Sequence, residues 1–208
     1  MRIKPTKLSV MSIVHGKSEL LICNSVKSNL RIKHEIHSKD KGRNSIQVNS
    51  VMNELNSAKF CMPLKKFSEE YGIEYDYRNK KLVDFKIFII MDLDDCTPEK
   101  AKQFKDKSMF NGHHLYNYIV PIYNDPNLEK TMQDLGIKID TKEKIKGYIK
   151  IFPTNRGDLD IYMAEEFAAK LKRCKNSNLH LYFEYCVSIA KKNTMCLQYA
   201  CKKSDKQK

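Results

Sequence analysis

Two rhythms of hydrophobic and polar positions alternate along this chain, and the switches between them outline its elements. Leu8-Ser9-Val10-Met11-Ser12-Ile13-Val14 is a short, mostly apolar run broken by His15-Gly16, which predicts a first strand and a turn. From Ser18 to about Ser28 the spacing of Leu20, Leu21, Val26 and Leu30 predicts a helix. Ile32 to Ile36 alternates apolar and charged residues, as a more exposed strand does. Ser38 to Asn44 is a polar, basic segment with a glycine and predicts a loop, after which Ser45 is placed to cap a helix through Ile46, Val48, Val51, Met52 and Leu55. The mixed pattern from Phe60 to Tyr77 suggests one further helix, followed by a charged turn at Arg78-Asn79-Lys80.

The clearest strand is Lys86-Ile87-Phe88-Ile89-Ile90-Met91-Asp92, whose unbroken apolar interior suits burial on both faces of a parallel sheet. A helix from Pro98 to about Phe110 follows, with Thr97 as N-cap and Asn111-Gly112 as its stop. Leu115 to Tyr123 reads as another strand, and Leu128 to Leu135 as a short helix ending at Gly136. This alternation predicts an α/β domain over residues 1–136, with a mainly parallel sheet flanked by helices. Residues 137–208 predict a mainly helical extension packed on it, with helices from Asp158 to Arg173 and from Leu179 to Lys192 and a basic tail from about Lys202.

Composition narrows the class. A chain of 208 residues with 41% hydrophobic and 30% charged content is expected to be globular, without the long apolar run of a membrane span or a secretory leader. Its seven cysteines form no CxxC pair, which argues against a zinc ribbon or a disulfide framework and for the reducing cytoplasm. The net charge of +13 favours a polyanionic partner, nucleic acid before any membrane surface.

Chemistry concentrates where the apolar strand ends. Asp92, Asp94 and Asp95 follow it directly, at the kind of strand end where ligands of open α/β sheets gather. Asp92 and Asp94 share one face if strand geometry persists, and two such charges repel unless a cation separates them or one is protonated. Mg²⁺ or Mn²⁺, with oxygen ligands, resolves the conflict; an acidic turn capping the next helix is the plainer alternative. The exit of the first strand, Val14-His15-Gly16-Lys17-Ser18-Glu19, suggests a phosphate-binding P-loop, but position 11 is Met where that motif needs glycine. What remains is a turn that presents His15 and Glu19 at a strand end. Lys17, Lys39, Lys41 and Arg43 lie on loops expected near the same rim and are candidates for phosphate contacts, with Lys170, Lys172, Arg173 and Lys175 as a second group. Asp158 is read as a helix N-cap, with a further metal contact as its alternative.

The two motifs "VHGKSEL" and "IIMDLDD", in this order and each after a strand, resemble a TOPRIM domain over roughly residues 7–136. Members of that family include topoisomerases, bacterial primases, 5S ribosomal RNA maturases and OLD-type nucleases, which use Mg²⁺ to make or break phosphodiester bonds. The resemblance implies that Asp92 and Asp94 are the Asp-x-Asp pair and that Glu19 is the second acid of the OLD-like branch, all three as metal ligands and catalytic groups. His15 stands where the family has its glutamate. Histidine does acid–base work near neutral pH or binds Mn²⁺, but the exchange also fits a site whose catalysis has lapsed. Asn124-Asp125-Pro126-Asn127-Leu128-Glu129 resembles an Asn-Pro-x-x-Glu element of stand-alone, defence-associated TOPRIM proteins, with Asp125 in place of the asparagine; this implies a site role for Glu129.

The expected function is therefore a metal-dependent nuclease, an effector of antiviral defence. Its expected partners are nucleic acid, an ATPase subunit acting in trans and a second copy of the chain. Two alternatives stand beside it. One is a lapsed TOPRIM-like module that binds nucleic acid or a partner. The other is a haloacid-dehalogenase-type phosphatase, which "DLDD" also resembles, with Asp92 as nucleophile and Asp94 as acid; those enzymes usually open with this strand, and Cys96 departs from their pattern.

Overall fold

The computed structural model describes residues 7–139, 143–155 and 159–204, the stretch 194–204 by its backbone alone. Four parallel strands form the central sheet in the order β2-β1-β5-β6, with β1 Val10–Val14, β2 His34–His37, β5 Lys86–Asp92 and β6 Ile119–Asn124. The sheet is α/β as the alternation predicts. Its two inner strands are covered on both faces and are apolar inside but for Ser12 of β1 and Asp92 at the end of β5. In β5, Phe88 and Ile90 enter one core while Ile87, Ile89 and Met91 enter the other.

The helix α1 (Lys17–Leu30) leaves β1 and covers the first face, and the chain then forms β2 beside β1. From β2 the chain crosses to the other side of β1. It first makes α2 (Val51–Leu55), α3 (Leu64–Tyr71) and a hairpin of β3 (Glu74–Asp76) and β4 (Lys81–Val83). The direction of strand addition thus reverses between β1 and β5, which opens a crevice at their carboxyl ends.

Several boundaries differ from the expectation, each for a local reason. The hairpin stands where only a charged turn was expected; its strands are three residues each and carry little apolar signal, and the turn is held by Asp76 accepting from the backbone N–H of Arg78 and Asn79. The helix α4 (Pro98–Lys105) stops before Phe110 because Lys107 adopts a left-handed φ of 69°, after which Ser108–Phe110 forms a 3₁₀ turn. Its cap is Thr97, whose hydroxyl accepts from Lys100 N–H, as expected. Strand β6 begins at Ile119 because Tyr116–Tyr118 is a 3₁₀ turn. It is an edge strand, which is why Pro121 is tolerated within it.

After α5 (Leu128–Asp134) come α6 (Lys144–Ile151), α7 (Ile161–Leu171) and α8 (His180–Ser204). The first of these three helices was not expected, and the last is longer than expected. Asp160 caps α7 by accepting from Met163 N–H at 2.8 Å, so the capping role expected of Asp158, which lies outside the described residues, belongs to its neighbour. Tyr148, Phe152, Tyr182 and Phe183 complete the core over α1. The connection between α7 and α8 covers the open edge of β6: Asn178 accepts from Tyr123 N–H at 2.8 Å and donates to the Pro121 carbonyl at 3.0 Å. Among the described residues no helix is long and apolar enough to cross a membrane.

Candidate functional site

Asp92 is the last residue of β5 and continues the parity of Phe88 and Ile90, so its carboxyl turns toward the α1 face. It is only 6% exposed. Its Oδ1 accepts from Leu128 N–H at 3.0 Å and from Asn124 Nδ2 at 3.3 Å. Asn124 is itself oriented, because its own Oδ1 accepts from Ser177 Oγ at 2.9 Å and from Thr131 Oγ1 at 3.4 Å. A carboxyl held in this way has one orientation, fixed by β6, α5 and the turn before α8.

Glu19 reaches the same crevice from the first turn of α1 and is 2% exposed. Its Oε2 accepts from Gly16 N–H at 2.9 Å, which aims the side chain back toward the strand exit. Burial is the main cause that raises the pKa of both groups. The Asp92 carboxyl is pushed up to about 9, with the charges of Glu19, Glu129 and Asp94 adding to the effect of burial. Glu19 is also raised, with Glu129 contributing and His15 opposing. The structure therefore brings Glu19, Asp92 and Glu129 within electrostatic reach of one another, and Asp94 within reach of Asp92. Asp94 is exposed, and its Oδ2 accepts from Asn127 Nδ2 at 3.0 Å. One carboxylate oxygen of Asp95 is buried without a partner, and its charge, with those of Asp125 and Asp94, acts on the Cys96 thiol.

His15 is joined to β5 by its main chain, donating its N–H to the Ile90 carbonyl at 2.9 Å. Its ring Nδ1 lies 3.0 Å from the Ile46 carbonyl, an atom that only accepts, so Nδ1 is the donor and Nε2 is the nitrogen that a neutral ring would leave as acceptor. That is the arrangement of a histidine available as base or ligand through Nε2.

The basic loop is pinned against the same rim. Ile46 N–H donates to the His15 carbonyl at 2.8 Å. Gly42, at φ +79°, packs on the start of α1 so closely that a Cβ there would lie 3.0 Å from Lys17 Cα. The glycine that shapes this rim is thus Gly42, whereas Gly16 sits in extended backbone. Asp40 and Lys41 adopt left-handed φ values of 47° and 56°, and the side chains of Lys17, Lys39, Lys41 and Arg43 are all exposed. None of the four takes part in an ion pair among the described residues.

Two residues of the site escaped sequence reasoning, and both come from α6. Tyr148 is fully buried and its hydroxyl donates to Glu129 Oε1 at 3.2 Å, with the charges of Glu129, Glu19 and Asp92 all acting on it. Lys144 Nζ pairs with Glu129 Oε1 at 2.6 Å. The apolar spacing of Ile145, Tyr148, Ile149 and Phe152 was the available signal for this helix.

Among the described residues no group of three or more His, Cys, Asp or Glu side chains is placed to hold a metal ion. Asp92 and Glu19 are buried oxygen donors whose pKa values are raised chiefly by burial, and a hard cation is the kind of ion that paired carboxylates take. An open site with one or two protein carboxylates is the form Mg²⁺ takes, since the ion keeps water and substrate oxygens among its ligands. Asp158 lies outside the described residues. Comparison with protein-family models, curated proteins and solved structures finds no match.

Proposed function

We propose that this chain is a metal-dependent nuclease of the TOPRIM type that hydrolyses phosphodiester bonds of DNA or RNA. The observation that carries the reading is the juxtaposition of mutually repelling carboxylates, two of them buried, with an exposed basic loop at the point where strand order reverses. Asp92, with Glu19 or Asp94 as its partner, would hold Mg²⁺ or Mn²⁺, which when bound stabilises charge on the phosphate and acidifies a water. The chain's own groups do the rest. His15 Nε2 accepts the proton of the attacking water. Lys17, Lys41 and Arg43 hold backbone phosphates without reading sequence, and Asn127 orients Asp94. The cytoplasm as the place of action rests on cysteine usage, in keeping with free thiols at Cys23, Cys61, Cys96, Cys174 and Cys186. A role in antiviral defence, and an ATPase partner, rest on the motif resemblance.

Asp92→Ala and Asp94→Ala are each expected to lower cleavage by about a thousandfold or more, as loss of a central electrostatic group does. Both should leave salt-dependent binding of nucleic acid intact. Unchanged cleavage in both variants would remove the mechanism. Lys17→Ala/Lys41→Ala/Arg43→Ala should show the opposite pattern, with binding weakened alike for all sequences and a shallower salt dependence.

Tyr148 acts as a positioning residue through Glu129. Tyr148→Phe keeps the packing and removes one hydrogen bond to a carboxylate, so Mn²⁺ affinity and cleavage should fall about tenfold with little change in melting temperature. A loss of stability with unchanged Mn²⁺ affinity would make its role purely structural.

The phosphatase alternative asks Asp92 to attack phosphorus. Its burial and its two accepted hydrogen bonds disfavour that role.

A further inference from the structure

A cavity of about 710 Å³ opens between α5 and the turn that follows α7, beside the carboxyl end of β6. This is within the size range of sites for small ligands, roughly 300–1,000 Å³. Lys130, Lys170, Arg173 and Lys175 line it, against two acids, Asp125 and Asp134. Both acids are already matched. Asp125 pairs with Lys105 at 2.5 Å, and Asp134 pairs with Lys130 at 2.7 Å while accepting from Asn176 Nδ2 at 3.1 Å. Lys170, Arg173 and Lys175 have no ion-pair partner among the described residues, so the concave wall keeps a positive excess. Lys172, in the same basic run, is excluded from this group by its pairing with Glu184 at 3.3 Å.

The wall is rigid as well as charged. Asn176 donates to the Asp125 carbonyl at 3.0 Å, and its own carbonyl accepts from Asp125 N–H at 2.8 Å, which locks the α7–α8 turn to the β6–α5 turn. That second turn also serves the carboxylate site, because Asn127 donates to Asp94 and Leu128 N–H to Asp92. Cavity and carboxylates are therefore two sides of one turn. Guanidinium and ammonium groups in a concavity favour phosphate, which Arg173 can bind through two parallel hydrogen bonds.

We infer that this cavity is a phosphate-binding subsite that takes backbone phosphates of a nucleic-acid strand lying across the carboxylates. The inference deepens the nuclease reading and rests on its choice of ligand, yet its test needs no cleavage. The full chain in EDTA is titrated with a fluorescent single-stranded oligonucleotide and, separately, with inorganic pyrophosphate and a nucleoside triphosphate. Lys170→Ala/Arg173→Ala/Lys175→Ala is compared with a control of equal charge loss, Lys65→Ala/Lys66→Ala/Lys172→Ala. All six side chains are exposed, so both variants are expected to fold.

The cavity variant should bind the oligonucleotide at least tenfold more weakly than the control, with a salt slope lower by about two, near 0.7 for each phosphate no longer neutralised. Equal binding by the two variants, or no binding by the parent chain, overturns the inference. Preferential binding of the nucleoside triphosphate, abolished in the cavity variant alone, supports the phosphate subsite and assigns its ligand to a free nucleotide. A chain whose oligonucleotide binding disappears in the cavity variant but which cuts nothing keeps the subsite and discards the nuclease reading.

Discussion

Asp92→Asn is expected to stabilise the metal-free protein at and above neutral pH and to flatten its dependence on pH. In the folded chain the Asp92 carboxyl is pushed up to about 9, chiefly by burial and then by Glu19 and Glu129, from an ordinary value of 3.8. Below about pH 4 the group is protonated in both states and costs nothing. As pH rises toward about 9 the unfolded chain ionises while the folded chain keeps its proton, so folding must take up a proton and stability falls. Glu19, also raised, acts in the same sense. The decline should be on the order of a few kcal/mol, since each tenfold change in acid dissociation corresponds to about 1.4 kcal/mol. Asparagine preserves the shape and can accept the same bonds from Leu128 N–H and Asn124 Nδ2 with no charge to bury. Melting curves in EDTA across this range test the point. An Asp92→Asn protein that loses stability with pH as steeply as its parent would show that the penalty lies elsewhere.

The second large effect is the reversal of that penalty by a divalent ion. Mn²⁺ should bind saturably, raise the melting temperature and release protons, because Asp92 and Glu19 must ionise to act as ligands. At an ion concentration about a hundred times the dissociation constant, the stabilisation is roughly 2.7 kcal/mol. It should be larger on the alkaline side of neutrality than on the acid side, and it should vanish in Asp92→Asn and in Glu19→Gln. Calorimetry in two buffers of different ionisation heat measures the protons released. A chain that binds no Mn²⁺ and keeps its carboxyls protonated would be the lapsed module, in which His15 has replaced a needed acid.

Much of the frame could be read along the chain because the determining patterns are local. The strand ending in Asp92 is apolar at every interior position, as a strand sandwiched between two cores must be, and Thr97-Pro98 marks the next helix by its cap. The hairpin at Glu74–Val83 left little trace, since only Tyr75 and Leu82 stand out in strands so short. The cap of α7 was misplaced by two residues because Asp158 and Asp160 offer the same side chain, and only the contact with Met163 N–H decides between them. In the site, His15, Glu19, Asp92 and Asp94 were visible as motif residues beside strand ends. Tyr148 and Lys144 were not, because they meet Glu129 across 19 and 15 positions of chain and no local rule joins them to it. The cavity at Arg173 was equally hidden: the sequence displays a run of basic residues, and only the fold separates Lys172, paired with Glu184, from those that face an open wall.

The crevice between β1 and β5 is proposed to cut phosphodiester bonds with a divalent ion. The most direct measurement is cleavage of plasmid DNA and of total transfer RNA by the full chain with Mg²⁺ or Mn²⁺, beside the Asp92→Ala/Asp94→Ala protein and an EDTA control. Metal-dependent cutting of one substrate class, absent in the double variant and in EDTA, is the expected result and identifies that class. Cutting that survives in the double variant, or intact substrates under both ions, contradicts the claim.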